Sequence, residues 1–343
     1  MVSKCLNIEH KAIYMNNNYV RFDHHYHAAF DFSPRWMRVQ RYSANTNVLQ
    51  AIVDTALAKK IDICAIVTED FGDKESGGRL IKQASIHNKF ARLKDMALNL
   101  PASYKHNCDG PVITVEKDGR STYILSAQTP LVRDNGYRID HLVIGVDAYS
   151  LIPNLMSLVE TNSWINEEYG RENVIRVAEH VGLKEHFALS QERFLSEFLE
   201  GNYDALEFNA QMINPLNPHA GRYKIPSIGK KLRAANRGLN ESNEAFAREH
   251  KVPFIAGSDG HRIEHLGIAY TEFNAGRIDT SSGAGLVHSI KQAIAKRQFG
   301  IHRGYASILQ WCQWLTEFVI GHGFKLPSSS LTAGHQPEVF IDS

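Results

Sequence analysis

Several features are missing from this 343-residue sequence, and each absence excludes a class of protein. No run of about 18 consecutive apolar residues is present, which excludes a transmembrane helix. The N-terminal stretch lacks the apolar segment of a secretory signal peptide, so we expect a cytoplasmic protein. The four cysteines are scattered and form no Cys-x-x-Cys pair. This spacing predicts reduced thiols rather than a disulfide framework or a zinc knuckle.

The chain also has no excess of charge, because 38 Lys and Arg residues balance 37 Asp and Glu residues. A surface that coats nucleic acid needs positive charge to release phosphate counterions, so the overall charge argues against that class of protein. A local basic groove remains compatible with this composition. Neither the G-x-S-x-G nucleophile elbow nor the G-x-x-x-x-G-K-[ST] phosphate loop is present.

Histidine, by contrast, is abundant, with 17 residues in the chain. Three histidines and two aspartates fall within the stretch VRFDHHYHAAFDFSP, residues 20–34. Imidazole is the commonest metal ligand in proteins and also transfers protons near neutral pH. The positions of these histidines relative to the predicted strands therefore indicate whether they can form a metal site.

Short apolar runs alternate with amphipathic stretches, which predicts β-α units and an α/β fold. The predicted strands cover 19–23, 62–68, 141–147, 174–180, 203–209 and 252–259, and the predicted helices 46–60, 79–99, 190–200 and 240–250. A hairpin is predicted around Asp118-Gly119, a pair that suits a type I′ turn. Acidic and imidazole side chains repeatedly follow the C-terminal ends of the strands, where parallel α/β barrels assemble their active sites.

The strongest local pattern is His25-x-His27, directly behind the first strand. Residues i and i+2 of a strand face the same way, so both imidazoles can reach one ion. Asp259-Gly260-His261 repeats this spacing behind the last predicted strand, and His180 ends a third strand. Together these residues predict a metal site at one end of the barrel.

Six separated motifs, in this order, resemble the PHP superfamily of metal-dependent phosphoesterases, named for polymerase and histidinol phosphatase domains. They are DHHYH at 23–27, AIVTED at 65–70, HLVIGVD at 141–147, VAEHVG at 177–182, ALEFN at 205–209 and GSDGHRIEHLG at 257–267. The resemblance implies a distorted (β/α)7-type barrel in a single domain over 19–304. Residues 305–343 would then form a C-terminal helix and a tail.

The resemblance also implies two or three divalent ions, which would be Zn, Mn or Fe. A first ion would be held by His25, His27 and Asp259, and a second by His141 and His180 near Gln128. A third would be held by Asp70 and His261, with Asp31 as a further candidate. Asp259, His261 and His180 would be the catalytic group.

Two positions depart from the family pattern. Asp70 stands where the family has histidine, and Gln128 stands where it has a bridging glutamate. A carboxylate can replace imidazole at such ions, with a shift in preference toward harder ions. A neutral amide is a poor bridge between two cations, because it brings no compensating charge.

The activity implied is hydrolysis of a phosphate ester by water that the metals activate. The expected substrate is a small phosphomonoester or a nucleotide. The expected substrate-binding residues are Arg262, Arg35, Lys230, Lys231 and Arg233, the last three within a basic segment over 221–238.

Two alternatives stay open from the sequence. The basic segment would suit a 5′ or 3′ exonuclease that acts on a short single-stranded nucleic-acid end. The departures at Asp70 and Gln128 would suit a catalytically weakened scaffold that binds a metal or a partner. The apolar stretch 305–322 is expected to pack on the barrel or to form a contact between copies of the chain.

Overall fold

The computed structural model describes residues 18–27, 47–69, 89–134, 137–147, 150–183, 188–211 and 228–307, with the backbone alone at 69, 134, 137–138 and 228–237. The predicted helix and tail beyond residue 307 lie outside these ranges. None of the helices in the described ranges is long and apolar enough to cross a membrane.

The strands are β1 (Tyr19–Tyr26), β2 (Ile63–Glu69), β3 (Tyr104–Asp109), β4 (Val112–Lys117), β5 (Arg120–Thr129), β6 (Leu131–Asp134), β7 (Tyr137–Ile144), β8 (Ile175–Ala178), β9 (Ala205–Asn209), β10 (Phe254–Gly257), β11 (Tyr270–Asn274) and β12 (Phe299–His302). The helices are α1 (Val48–Lys59), α2 (Lys89–Ala97), α3 (Leu158–Tyr169), α4 (Gln191–Leu199), α5 (Ile228–Glu249) and α6 (Gly283–Ala295).

One sheet in the order β10-β9-β8-β7-β5-β2-β1-β11-β12 forms the body of the protein. It nearly closes on itself, because Tyr26 bridges Gly260 and the His27 amide donates to the Gly260 carbonyl at 2.9 Å. The predicted distorted α/β barrel is therefore confirmed. The predicted hairpin is also present: β4 pairs antiparallel with β5, and Asp118 and Gly119 both have positive φ.

The sheet departs from a parallel barrel at β7, which runs antiparallel to both β5 and β8. The cause is the short connection from β5 to β7 through β6, which leaves no room for the longer crossover that parallel neighbours need. His141 consequently lies within a strand, opposite Ala178, and not at a strand end as the sequence predicted.

The interior of the barrel is filled by one cluster of apolar side chains, including Ile63, Leu142, Val177, Ala205 and Ile255. Side chains alternate along a strand, so the residues two positions further on from this layer face the same interior. Glu179 lies two positions beyond Val177, and Glu207 lies two positions beyond Ala205. Asp259 lies four positions beyond Ile255. The apolar layer therefore forms a floor beneath a polar layer.

Candidate metal centre

A bulge in β1 aims the histidines of the first motif into the barrel. Asp23 pairs with Cys64 and Tyr26 with Ile66, so three steps along β1 match two along β2. One extra residue in a strand shifts the alternation of its side chains. As a result, His24, His25 and His27 all point into the barrel, while Tyr26 packs outside with the α1 layer.

Asp23 fixes this bulge against the loop after β10. Its carboxylate accepts from the Ser258 amide at 2.9 Å and from the Gly267 amide at 2.8 Å. The close approach of β1 and β10 also requires Gly257, because a Cβ there would lie 2.8 Å from the His24 ring and 2.9 Å from the His25 Cβ. Asp23 is thus a structural residue that brings the two halves of the centre together.

The first ligand group consists of His25, His27 and Asp259. The Nε2 atoms of His25 and His27 lie 2.9 Å apart, and His27 Nε2 lies 2.8 Å from Asp259 Oδ1. His25 Nε2 is 3.5 Å from the same oxygen. Ligands about 2.1 Å from one ion would be separated by about 3.0 Å in an octahedron and about 3.4 Å in a tetrahedron. The three atoms therefore fit a shared divalent cation.

The second ligand group consists of Asp140, Glu179 and His180, whose donor atoms lie within 4.8 Å of one another. Glu179 Oε2 lies 3.7 Å from His180 Nε2 and 3.8 Å from His25 Nε2, so this carboxylate stands between the two groups. Its other oxygen accepts from the Thr129 hydroxyl at 2.8 Å. Asp140 Oδ1 is buried and has no hydrogen-bond partner among the described residues, as expected for an oxygen that would coordinate a cation.

Glu207 and Asn209 orient the ligands from beneath. The Glu207 carboxylate lies 2.5 Å from His25 Nδ1, which places a proton on Nδ1 and leaves Nε2 as the donor atom that faces the group. The Asn209 amide nitrogen lies 3.0 Å from His180 Nδ1 and 3.1 Å from both Glu207 and Asp259. These two residues thus connect both ligand groups.

Without a bound ion, the buried carboxylates of the centre have too few positive charges nearby to balance them. Burial raises the pKa of Asp140 to about 7, and burial likewise raises the pKa of Glu179 well above its usual value. Burial would also lower the pKa of His25, but the nearby Glu207, Glu179 and Asp259 outweigh it and raise that pKa well above its ordinary value. Protons are therefore retained where divalent cations would otherwise balance the carboxylates.

The opposite shift occurs at Glu207 and Asp259. Burial is the largest single effect and would raise the pKa of each carboxyl, but the charge of His25 together with the hydrogen bonds and charges of neighbouring histidines outweighs it and holds the pKa well below the usual range. Both groups are thus ionised acceptors at neutral pH.

The backbone of the centre is also unusual, because His180 and Asp259 have φ of 53° and 46°, a region that non-glycine residues rarely occupy.

Two residues of the predicted metal set are placed away from the two ligand groups. The His141 ring packs edge-on against Tyr203 at 4.8 Å, and burial with the charge of Arg176 lowers its pKa to about 3. Successive side chains of a strand face opposite ways, so the neighbouring Asp140 faces the centre instead. The Gln128 amide is held by the backbone, donating to Ser150 at 2.7 Å and accepting from Ile152 at 2.9 Å.

The remaining predicted residues divide between the edge of the centre and the ranges without a description. The His261 ring stacks on His27 with 4.3 Å between centroids, and its Nδ1 donates to the Asp259 carbonyl at 2.9 Å. Arg262 follows on the same loop, and its guanidinium donates to Glu264 at 3.1 Å. The predicted residues Asp31, Arg35 and Asp70 lie outside the described residues, as do the side chains of Lys230, Lys231 and Arg233.

Sequence reasoning missed Asp140, Glu179 and His24 as members of the centre. Glu179 could have been found from alternation, because Ile175, Val177 and Glu179 share one face of β8. The same alternation places Asp140 on one face of β7 with Leu142 and Ile144, and His24 on one face of β1 with Val20 and Phe22.

Comparison with known proteins gives one family match. The model described as PHP-associated matches residues 238–293, a range that contains Asp259 and His261. No curated protein sequence matches the chain. Among solved structures, PsfC from Pseudomonas syringae PB-5123 shares the fold, with a TM-score of 0.52 at 11% identity over 90% of this chain and 99% of PsfC.

Two further structures have weaker likenesses. The lesion-specific endonuclease PfuEndoQ from Pyrococcus furiosus gives a TM-score of 0.43 at 15% identity, over 82% of this chain and 57% of PfuEndoQ. A protein assigned as a metal-dependent phosphoesterase from Bifidobacterium adolescentis gives 0.37 at 11% identity, over 70% of this chain and 87% of that one. At such scores neither likeness bears on the substrate. The family match over residues 238–293 agrees with the resemblance to the PHP superfamily that the motifs predict.

Proposed function

We propose that this chain is a metal-dependent hydrolase of phosphate esters, with at least two divalent ions held by the two ligand groups. The observation that carries the proposal is the convergence of His25, His27 and Asp259, whose donor atoms lie 2.8 to 3.5 Å apart. The second group lies beside the first, with Glu179 Oε2 3.8 Å from His25 Nε2. Adjacent ligand groups of this kind would suit a two-metal site that clamps a phosphoryl group.

Divalent ions held here would supply the charge that neutralises phosphoryl oxygens and activates a water for attack. The residues of the chain hold and orient these ions. Glu207 fixes the tautomer of His25, and Asn209 orients His180 and Asp259 from the same side. His261 lies at the outer edge of the first group with a side chain 16% exposed, which suits a contact to the substrate or to a further ion.

The substrate we propose is a small phosphomonoester or a nucleotide. Arg262 is the proposed phosphate contact, because it follows His261 directly and its side chain is 12% exposed. It would have to exchange Glu264, its present partner, for the substrate phosphate.

Hydrolysis of p-nitrophenyl phosphate tests the proposal after incubation of the full chain with Mn²⁺, Zn²⁺ or Fe²⁺. We expect metal-dependent release of p-nitrophenol that falls at least about 100-fold in Asp259→Asn. Glu197→Gln is the matched control, because Glu197 is an equally buried carboxylate on α4 that pairs with Arg193. Absence of turnover with all three metals, or equal turnover in Asp259→Asn, would overturn the assignment and favour a binding scaffold.

An exonuclease is the second candidate, because the basic segment continues into the helix next to the centre. The Asn240 side chain of α5 donates to the Asn209 carbonyl at 3.0 Å and accepts from the Asn209 amide at 3.3 Å. Lys230, Lys231 and Arg233 lie seven to ten positions earlier on the same helix, which is about 10 to 15 Å along its axis. Alanine at all three positions should abolish cleavage of a single-stranded oligonucleotide by an exonuclease and spare p-nitrophenyl phosphate hydrolysis.

A further inference from the structure

A second concave surface lies away from the metal centre, between α5, β10 and β12. This basic groove has a volume of about 480 Å³. Such a volume falls within the range of small-molecule sites. Its lining consists of Glu244, Ala247, Arg248, Lys251, Val252, Pro253, Phe254, Arg297, Phe299, Ile301 and Arg303.

The rim of the groove carries an excess of positive charge. Four of the lining residues are cationic and one is acidic, whereas the whole chain has a net charge of +1. The acid, Glu244, is shared by Arg303 at 2.5 Å and Arg248 at 3.2 Å. No carboxylate in the described part of the chain pairs with Lys251 or Arg297, and the Arg297 guanidinium donates to the Lys251 carbonyl, an uncharged partner.

Part of this charge has a structural explanation. Helices α5 and α6 end next to the groove, and Lys251 and Arg297 follow them with φ of 55° and 52°. Each helix C-terminus carries about half a negative charge, which nearby cations stabilise. Two helix ends therefore offset about one of the three excess positive charges. About two remain, which matches the charge of a phosphomonoester at neutral pH.

The floor of the groove is apolar. Val252 and Phe254 are 4% and 8% exposed, and Phe299 and Ile301 of β12 are partly exposed beside them. Guanidinium groups recognise phosphate through paired N–H donors, and aromatic faces accept flat rings. A cationic rim over an apolar floor therefore matches a molecule with one anionic end and one flat apolar end.

We propose that the basic groove binds a nucleoside monophosphate, with its phosphate at Lys251 and Arg297 and its base against the partly exposed Phe299. This site is separate from the metal centre. None of the residues that line the groove belongs to either ligand group. A mononucleotide in the groove therefore occupies a surface distinct from the metal centre.

Calorimetric titration of the full-length, metal-loaded chain with AMP tests this site, and the same titration of Asp259→Asn separates groove binding from binding or hydrolysis at the metal centre. We expect at least a tenfold loss of affinity in the double variant Lys251→Gln/Arg297→Gln. Lys296→Gln is the matched control, since Lys296 is an exposed cation next to Arg297 that does not line the groove. Thermal melting establishes that the variants fold, and Arg248→Gln, at a side chain 79% exposed, provides a milder second substitution with an expected loss of affinity.

Four results would overturn the proposal in whole or in part. AMP would bind the double variant as tightly as wild type, or no heat would be detected with wild type. Alternatively, Asp259→Asn alone would lose AMP binding, which would place the nucleotide at the metal centre. Inorganic phosphate that binds as tightly as AMP would overturn the assignment of the apolar floor to the base.

Discussion

Replacement of Glu207 with glutamine tests how the centre prepares His25 to bind a cation. The Glu207 carboxylate lies 2.5 Å from His25 Nδ1, and both side chains are completely buried. A hydrogen bond to a charged group contributes about 1.5 to 3 kcal/mol, and a neutral one about 1 kcal/mol. The substitution keeps an acceptor at nearly the same place and removes its charge.

The expected loss is therefore about 0.5 to 2 kcal/mol of metal-binding free energy, which corresponds to about 2- to 30-fold weaker binding at the first group. Competition with a chromogenic chelator measures this affinity without any catalytic assay. Glu197→Gln is again the matched control, because its carboxylate is 1% exposed and ion-paired at 2.5 Å but lies on α4. Metal affinity within twofold of wild type in Glu207→Gln, with the fold intact, would refute the positioning role.

Further predictions concern the second ligand group, the bulge and the metals themselves. Asp140→Asn should lower the bound metal by about one equivalent, whereas His141→Gln should leave it unchanged; elemental analysis of both proteins distinguishes them. Metal ligands must be deprotonated, and the pKa of Asp140 is raised to about 7, so affinity at the second group should rise from pH 6 to pH 8. A flat profile by competition titration over that interval would contradict this. Chelation should lower the melting temperature, because an ion at 100 times its Kd stabilises the fold by about 2.7 kcal/mol; an unchanged melt would show that the ligands bind nothing. Asp23→Asn should cost about 1 to 3 kcal/mol in urea unfolding, because one of the amides of Ser258 and Gly267 would then face an NH₂ group; a loss below 0.5 kcal/mol, as a rough threshold, would contradict it.

The fold was largely predictable because its signals are local. Continuous apolar strands, amphipathic helices and the Asp118-Gly119 turn each depend on a few neighbouring residues, and the structure contains all three. The direction of β7 was not predictable in the same way, because it depends on how β5, β6 and β7 are connected in space.

The candidate centre was predictable in part for the same reason. His25, His27 and Asp259 follow strands that the sequence marks clearly, and the structure brings them together. The prediction of His141 as a ligand was less successful. His141 lies at the expected level of the barrel, but its side chain is on the opposite face of β7. Successive side chains of β7 face opposite ways, so Asp140 occupies the ligand position instead.

Metal content per chain, measured by elemental mass spectrometry on protein purified without chelators, tests the central claim most directly. The comparison is between wild type, His27→Ala and the control Glu197→Gln. We expect at least two equivalents of zinc, manganese or iron in wild type and in the control, and about one equivalent fewer in His27→Ala. Absence of bound metal from wild type after addition of all three ions, or equal content in His27→Ala, would contradict it.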